Sequence, residues 1–464
     1  MISQSSPARE CDGFSVKLVA ATWAAGGLLV GAIALTSSHS ARAVPAFAQQ
    51  TGQACKSCHV GGFGPELTPF GREFKLGGYT LRSHASVPLA AMAVASFTHT
   101  RKDQDPAPEH LSRNDNVTLD EAAVFLAGGL GQHLGGFAEV TYEGIDRHFT
   151  WDNLDLRAVT TGKLFGEDST FGLSINNSPT VQDPWNTLGA WGFPFTDTET
   201  SDTPAAAPLI DDALAQSVLG VTAYGWIAHK VYVEAGGYAS PSRGTLSWLG
   251  SDPLDPGSIH GIAPYGRVAF QVPLAGGTFE AGASGLKAAL FPGRDQSSGF
   301  TDRYTDLGLD SSWQKTIGSN DMITANVRYV HEHASLRASC ALSLIGDGSD
   351  VECGKFHLDE LRATGRYNWH DKVGLTLSAF TVTGSRNQNV FDGNGSPDSN
   401  GLMGQVDYTL WPSGNSPVGP LLNARIGVQY TLYGKFNGRR HNFDLEGRDA
   451  ADNDVLRIFT WIAF

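Results

Sequence analysis

The residues Cys55-Lys56-Ser57-Cys58-His59 place two thiols three positions apart, with an imidazole directly after the second. That spacing suits covalent haem attachment. The thiols add across the two vinyl groups and the adjacent histidine reaches the iron from the same side. Two other chemistries use C-x-x-C. A zinc site needs two further ligands at matching spacing, and the chain has no second C-x-x-C. A thioredoxin-like motif needs a βαβ context, which is absent. The expected cofactor is therefore one haem c, held by Cys55 and Cys58, with His59 as the proximal iron ligand.

The flanks suggest how such a group is seated. Phe63, Leu67, Phe70 and Phe74 could pack on a porphyrin face, and the Gly- and Pro-punctuated stretch predicts a compact unit with few helical turns. Arg72 and Lys75 could pair with the propionates through charge-assisted hydrogen bonds, or be solvated surface residues.

Composition bounds what carries this unit. The chain has 464 residues, 41% hydrophobic and 17% charged, with five cysteines, too few for a disulfide-dense scaffold. Its mean hydropathy of −0.17 excludes a polytopic α-helical membrane protein. A net charge of −14 argues against nucleic acid as a partner. A large soluble β protein remains, or a membrane barrel whose apolar residues are diluted by alternation.

The one long apolar stretch, Leu18 to Leu35, follows Lys17 and precedes Ala41-Arg42-Ala43. A basic flank, an apolar run and an A-x-A site read as a secretory signal rather than a membrane anchor. Residues 1–43 are expected to be removed together with Cys11. Losing three basic and two acidic residues would take the net charge from −14 to −15. The mature chain divides into a haem segment, 44–82, and a remainder, 83–464.

That remainder shows period-two alternation in segments of about ten residues, as membrane strands do. In the last, Leu456, Ile458, Thr460, Ile462 and Phe464 share one face, opposite Arg457, Phe459, Trp461 and Ala463. It closes on the aromatic Phe464, as outer-membrane barrels commonly do. Sixteen strands are expected, centred near Val94, Phe125, Glu139, Arg157, Gly172, Val221, Val233, Val268, Ala281, Leu307, Ala325, Leu361, Leu377, Val406, Gly427 and Phe459. Long connections mostly follow odd-numbered strands and short ones even-numbered strands, the phase of extracellular loops and periplasmic turns. Trp411 to Leu421 breaks that phase. The fold class is an all-β transmembrane antiparallel barrel of about sixteen strands, with the haem segment inside or capping its lumen.

The sixth iron ligand could be Met92, Met322 or Met403, all on the polar, lumen-facing side. Met92 is nearest in sequence to the haem motif, His84 and His99 compete, and an open site is a further alternative. Cys340 and Cys353 share one long loop and are expected to form a disulfide, the alternative being a metal site with His331 or His333. Acidic residues cluster in loops, at Asp103, Asp105 and Glu109, Asp197 to Asp202, Asp252 and Asp255, and Asp449, Asp452 and Asp454. They could capture ferrous iron or be the ordinary polar exterior. Trp226, Trp369, Tyr408 and Tyr433 fit an interfacial girdle.

The block from Ala46 to Tyr79 carries Phe47-Ala48, Thr51-Gly52, Cys55-x-x-Cys58-His59, Pro65, Leu67, Phe70-Gly71-Arg72, Phe74-Lys75 and Gly78-Tyr79. It resembles the N-terminal haem segment of the fused porin–cytochrome family, outer-membrane monohaem cytochromes of bacterial iron oxidisers. Gln49 stands where that family often has a basic residue. The resemblance implies an iron(II) oxidase-like electron-transfer protein of the outer membrane. Its donor would be extracellular ferrous iron and its acceptor a periplasmic cytochrome or other soluble carrier. The alternative keeps the barrel as a haem-bearing or haem-gated pore for transport or sensing.

Overall fold

The computed structural model describes residues 46–82, 88–211, 213–345 and 353–464. The expected signal 1–43 and His84 lie outside the described residues. Sixteen long strands dominate. They are β1 (Leu89–Thr100), β2 (Asn116–Leu130), β3 (Leu134–Glu143), β4 (His148–Leu164), β5 (Glu167–Asn176) and β6 (Leu219–Ile227). Then come β7 (Val231–Ala239), β8 (Ala263–Leu274), β9 (Gly277–Phe291), β10 (Asp302–Ile317) and β11 (Asp321–Ser335). The last are β12 (Lys355–Trp369), β13 (Val373–Gly384), β14 (Ser399–Thr409), β15 (Asn423–Lys435) and β16 (Val455–Ala463). Each expected strand centre falls in one of them. Alternation could not show the two-residue strand Ser258–Ile259, which pairs on Leu290 and Phe291.

Each long strand pairs antiparallel with its sequence neighbours, and β16 returns to β1 with Val94 opposite Trp461. The sheet is closed and has no free edge, the condition for spanning a bilayer with strands. Among the described residues no helix is long and apolar enough to cross a membrane. The outward positions are apolar: Leu307 and Leu309 on β10, Leu375 and Leu377 on β13, Ile426, Val428 and Leu432 on β15. These face lipid, as in the barrels of bacterial outer membranes.

The inward positions are polar and largely neutralised in pairs. Arg157 meets Asp155 at 2.9 Å, Arg328 meets Glu360 at 2.7 Å, Arg366 meets Asp407 at 2.9 Å and Arg457 meets Asp120 at 2.6 Å. The connection between Asn176 and Leu219 folds into the lumen instead of standing outside. Asp183 reaches Arg267, the carbonyl of Thr196 accepts from Arg457, and Leu209 and Ile210 donate backbone N–H to Glu332 and Asp306. Two members of the expected girdle are corrected here. Trp226 (1% exposed) packs inside against Trp185, and Tyr433 packs on Phe380 and Phe436. Trp369 and Tyr408 are exposed on the outer surface.

Candidate functional site

The N-terminal segment sits in the lumen. It contains three short helices, α1 (Ala46–Thr51), α2 (Cys55–Cys58) and α3 (Pro69–Leu76). Wall residues hold it from several sides. Asp155 on β4 accepts from the Tyr79 hydroxyl at 2.7 Å, Tyr224 on β6 donates to the Leu76 carbonyl at 2.6 Å, and Gln314 on β10 donates to the Leu67 carbonyl at 3.2 Å. Asn423 on β15 donates to the Gly62 carbonyl at 2.9 Å. Lys56 donates its backbone N–H to Pro412 and pairs with Asp371, both in short-turn-side connections. The segment therefore lies at the short-turn end. The connection Trp411 to Leu421, which broke the loop-length phase, packs against it, and a side chain at Gly62 would strike Pro412.

Local sequence fixes the C-x-x-C-H geometry. The His59 N–H donates to the Cys55 carbonyl at 2.9 Å. Thr68 caps α3 by accepting from Gly71 N–H, Pro69 occupies the first turn, and Thr68 N–H donates to the Cys58 carbonyl at 2.8 Å. A Cβ at Gly71 would overlap that same Cys58 carbonyl. The Thr-Pro-Phe-Gly run thus clamps the second thiol and the histidine.

Cys55, Cys58 and His59 all line one cavity of about 410 Å³. Both thiols are free. Burial pushes the Cys58 thiol up to about 12 and lowers His59 to about 4, leaving the imidazole neutral, the form that binds a metal. The remaining lining is mainly apolar and aromatic: Phe47, Phe63, Phe125, Phe137, Trp191 and Trp461. A pair of thiols, an adjacent neutral imidazole and a largely apolar, aromatic cavity fit a covalently attached haem.

The other sequence-derived candidates separate. Met92 on β1 lines the same cavity, and Trp461 Nε1 donates to its Sδ at 3.2 Å. That bond holds the thioether in place. Met322, Met403 and His99 do not line the cavity, and His99 pairs with Asp115. Of the four expected porphyrin neighbours only Phe63 lines it; Phe74 packs on Phe47 and Tyr79, and Phe70 is exposed. Arg72 and Lys75 also lie elsewhere, and neither is solvated. Both are buried where the segment meets the wall and the inserted loop, Arg72 against Gln314 and Lys75 on the Val181 carbonyl and Asn186. Neither lines the cavity of Cys55, Cys58 and His59. Cys340 and Cys353 are joined, with Cα atoms 6.1 Å apart. Several loop carboxylates are engaged locally, Asp105 with Arg113, Asp452 with Lys102 and Asp454 with Arg101.

Fold and site together define a class: a closed sixteen-strand membrane barrel whose lumen holds a C-x-x-C-H segment. No protein-family model matches the chain, and no curated protein matches it. Similar solved structures include outer-membrane-expressed OmpT of Vibrio cholerae, 14% identical, covering 83% of this chain and 100% of that one with a TM-score of 0.42. A porin refined at 1.8 Å is 10% identical over 81% of this chain and 99% of its own, TM-score 0.43. The anion-selective porin from Comamonas acidovorans is 12% identical, covering 81% and 98%, TM-score 0.41.

Proposed function

We propose that this chain is an outer-membrane monohaem c-type cytochrome built into a barrel. It would pass single electrons from an extracellular donor, ferrous iron, to a soluble periplasmic carrier. The observation that carries the reading is the convergence of Cys55, Cys58, His59 and Met92 on one lumenal cavity. A bound haem supplies one-electron redox chemistry there. Cys55 and Cys58 would tether it, and His59 and Met92 would offer a nitrogen and a thioether to it. Trp461 orients Met92, and the aromatic lining limits water around the group. Electron transfer needs no general acid or base. By the usual asymmetry of outer-membrane barrels, the short-turn end faces the periplasm. The segment's position there supports hand-off to a soluble carrier.

Stopped-flow absorbance on the purified oxidised holoprotein mixed with ferrous iron tests this. Reduction of the haem is expected. A haem that stays oxidised at both acidic and neutral pH would remove iron as the donor. Met92→Ala is expected to abolish the charge-transfer band of a thioether-ligated ferric haem, whereas Met322→Ala and Met403→Ala leave it intact. A band that survives Met92→Ala would place another group on the iron.

The sixteen-strand lumen also favours a second reading, a haem-bearing pore or gate. Conductance in planar bilayers separates the two. The electron-transfer reading expects little conductance, because the haem segment and the inserted loop occupy the lumen.

A further inference from the structure

Several lumenal carboxylates pair with an arginine, whereas Asp306 and Glu332 take backbone N–H from the inserted loop. A further group beside the cavity has neither arrangement. Glu121 on β2, Glu139 and Glu143 on β3 and Asp152 on β4 face inward together, and among the described residues none of them ion-pairs with a lysine or arginine. Asp197 of the inserted loop, itself exposed, lies within electrostatic reach of Glu121 and Glu143.

The backbone is shaped to make this group. Along β3 and β4 the register shifts: Ala138 faces Leu154 and Val140 faces Trp151, so Asp152 and Asn153 together oppose Glu139. A second shift between Val94 and Ala95 leaves Asp120 as an extra residue beside Glu121 on β2. Such bulges re-aim side chains at functional positions. Here they turn carboxylates on neighbouring strands to the lumenal face. Glu121, Glu139, Asp152 and Asn153 line the same cavity as Cys55, Cys58 and His59.

A separate observation points to a ligand. Glu139 is 4% exposed, and one of its oxygens accepts from Asn153 at 2.9 Å. Its other oxygen is buried, has no partner and belongs to a side chain that lines the cavity. A buried, unpaired carboxylate oxygen is costly unless something cationic or hydrogen-bonding meets it.

We propose that Glu121, Glu139 and Asp152 form a docking site for a hydrated divalent cation beside the haem cavity. Under the electron-transfer reading, on which this rests, the cation is the ferrous ion. Oxygen donors suit hard divalent cations. Among the described residues no three such side chains are placed to ligate a bare ion, and the proposal is for an ion that keeps its water shell. Asp197 and Glu143 extend the negative field toward the loops and raise the local cation concentration. At the site one electron leaves the ferrous ion and enters the ferric haem. The iron becomes ferric and the haem ferrous, no atom is transferred, and the ferric ion departs.

The test uses purified, oxidised holoprotein in detergent, with Mn²⁺ as a redox-inert probe read by electron paramagnetic resonance. Wild type is expected to bind Mn²⁺ saturably. The triple variant Glu121→Gln, Glu139→Gln, Asp152→Asn should weaken that binding at least tenfold and slow haem reduction by ferrous iron by a similar factor. Heat-modifiable migration confirms that the variant barrel is folded, and the wild-type titration needs no variant at all. Absence of saturable Mn²⁺ binding to wild type overturns the site. So does unchanged Mn²⁺ binding in the triple variant; if ferrous iron then reduces both proteins equally fast, the electron-transfer reading stands without the site. Mn²⁺ binding lost in the variant, with a wild-type haem that ferrous iron never reduces, supports the cation site and removes the iron reading.

Discussion

His59→Ala is expected to give a barrel that still folds and inserts but has lost its low-spin haem spectrum almost completely. The His59 backbone is held by its N–H bond to the Cys55 carbonyl and by the bridge to Leu67, and alanine keeps both. What disappears is the imidazole that lines the cavity together with the two thiols. Removal of a neutral ring from a part-buried site costs little folding energy compared with the loss of an iron ligand. Heat-modifiable migration should therefore match wild type, while absorbance and a haem-stained gel should not. Cys55→Ala with Cys58→Ala should separate attachment from ligation, because any haem that remains would be extractable by acidified organic solvent. A normal spectrum in His59→Ala would mean that another residue holds the iron and that the C-x-x-C-H reading is mistaken.

The strands were legible because each separates lipid from lumen. Leu456, Ile458 and Ile462 alternate with Arg457, Phe459 and Trp461, and the structure buries the second set inside while Ile458 faces out. The same parity placed Met92 inward, where it lines the cavity. Cys55, Cys58 and His59 all line one cavity, and that they belong together was legible from their spacing within five residues. Positions that depend on distant partners were not. Arg72 meets Gln314, and Lys75 meets Val181 and Asn186, so neither is the solvated surface residue that its charge allowed. Trp226 looked like a membrane-interface residue because strand ends carry such residues. Its indole N–H instead donates to Glu73 in the lumen. The stretch from Asp197 to Asp202 read as exterior because acidic loops usually are. Thr200 within it is fully buried, and Thr198 donates to Asp120. Nothing in local composition distinguishes a loop that stands outside from one that turns in. The bulge opposite Glu139 was equally hidden, since one extra residue changes which side chains face inward without changing the overall alternation.

The inserted loop leads to the second large effect, on Arg267→Ala. Arg267 on β8 is 1% exposed and binds three carboxylates at once. Its guanidinium takes both oxygens of Asp310 at 2.7 and 2.8 Å and Glu280 at 3.1 Å, and its Nε lies 3.5 Å from Asp183. It also stacks over Trp185 at 5.5 Å. Asp310 and Glu280 belong to the wall, and Asp183 and Trp185 to the inserted loop, so this one cation ties the loop to the barrel. Its removal leaves buried carboxylates without a counter-charge, a change that costs about 3–5 kcal/mol. Arg267→Lys keeps the charge but loses the two-pronged contact with Asp310, and should fall between. The loss should concentrate on the loop, because the strands on either side keep their backbone ladder. Trp191, Pro194 and Phe195 of that loop line the cavity of Cys55, Cys58 and His59, so a loosened loop should open it. Arg267→Ala is therefore expected to unfold at lower denaturant concentration in detergent, to be cut by protease between residues 177 and 218, and to let imidazole reach the haem iron faster. Glu280→Gln with Asp310→Asn added to Arg267→Ala should recover part of the stability, since it removes charges that the single variant strands. A single variant as stable and as closed to imidazole as wild type would show that the loop is held by its other contacts, Thr196 on Arg457 and Asp211 on Arg328.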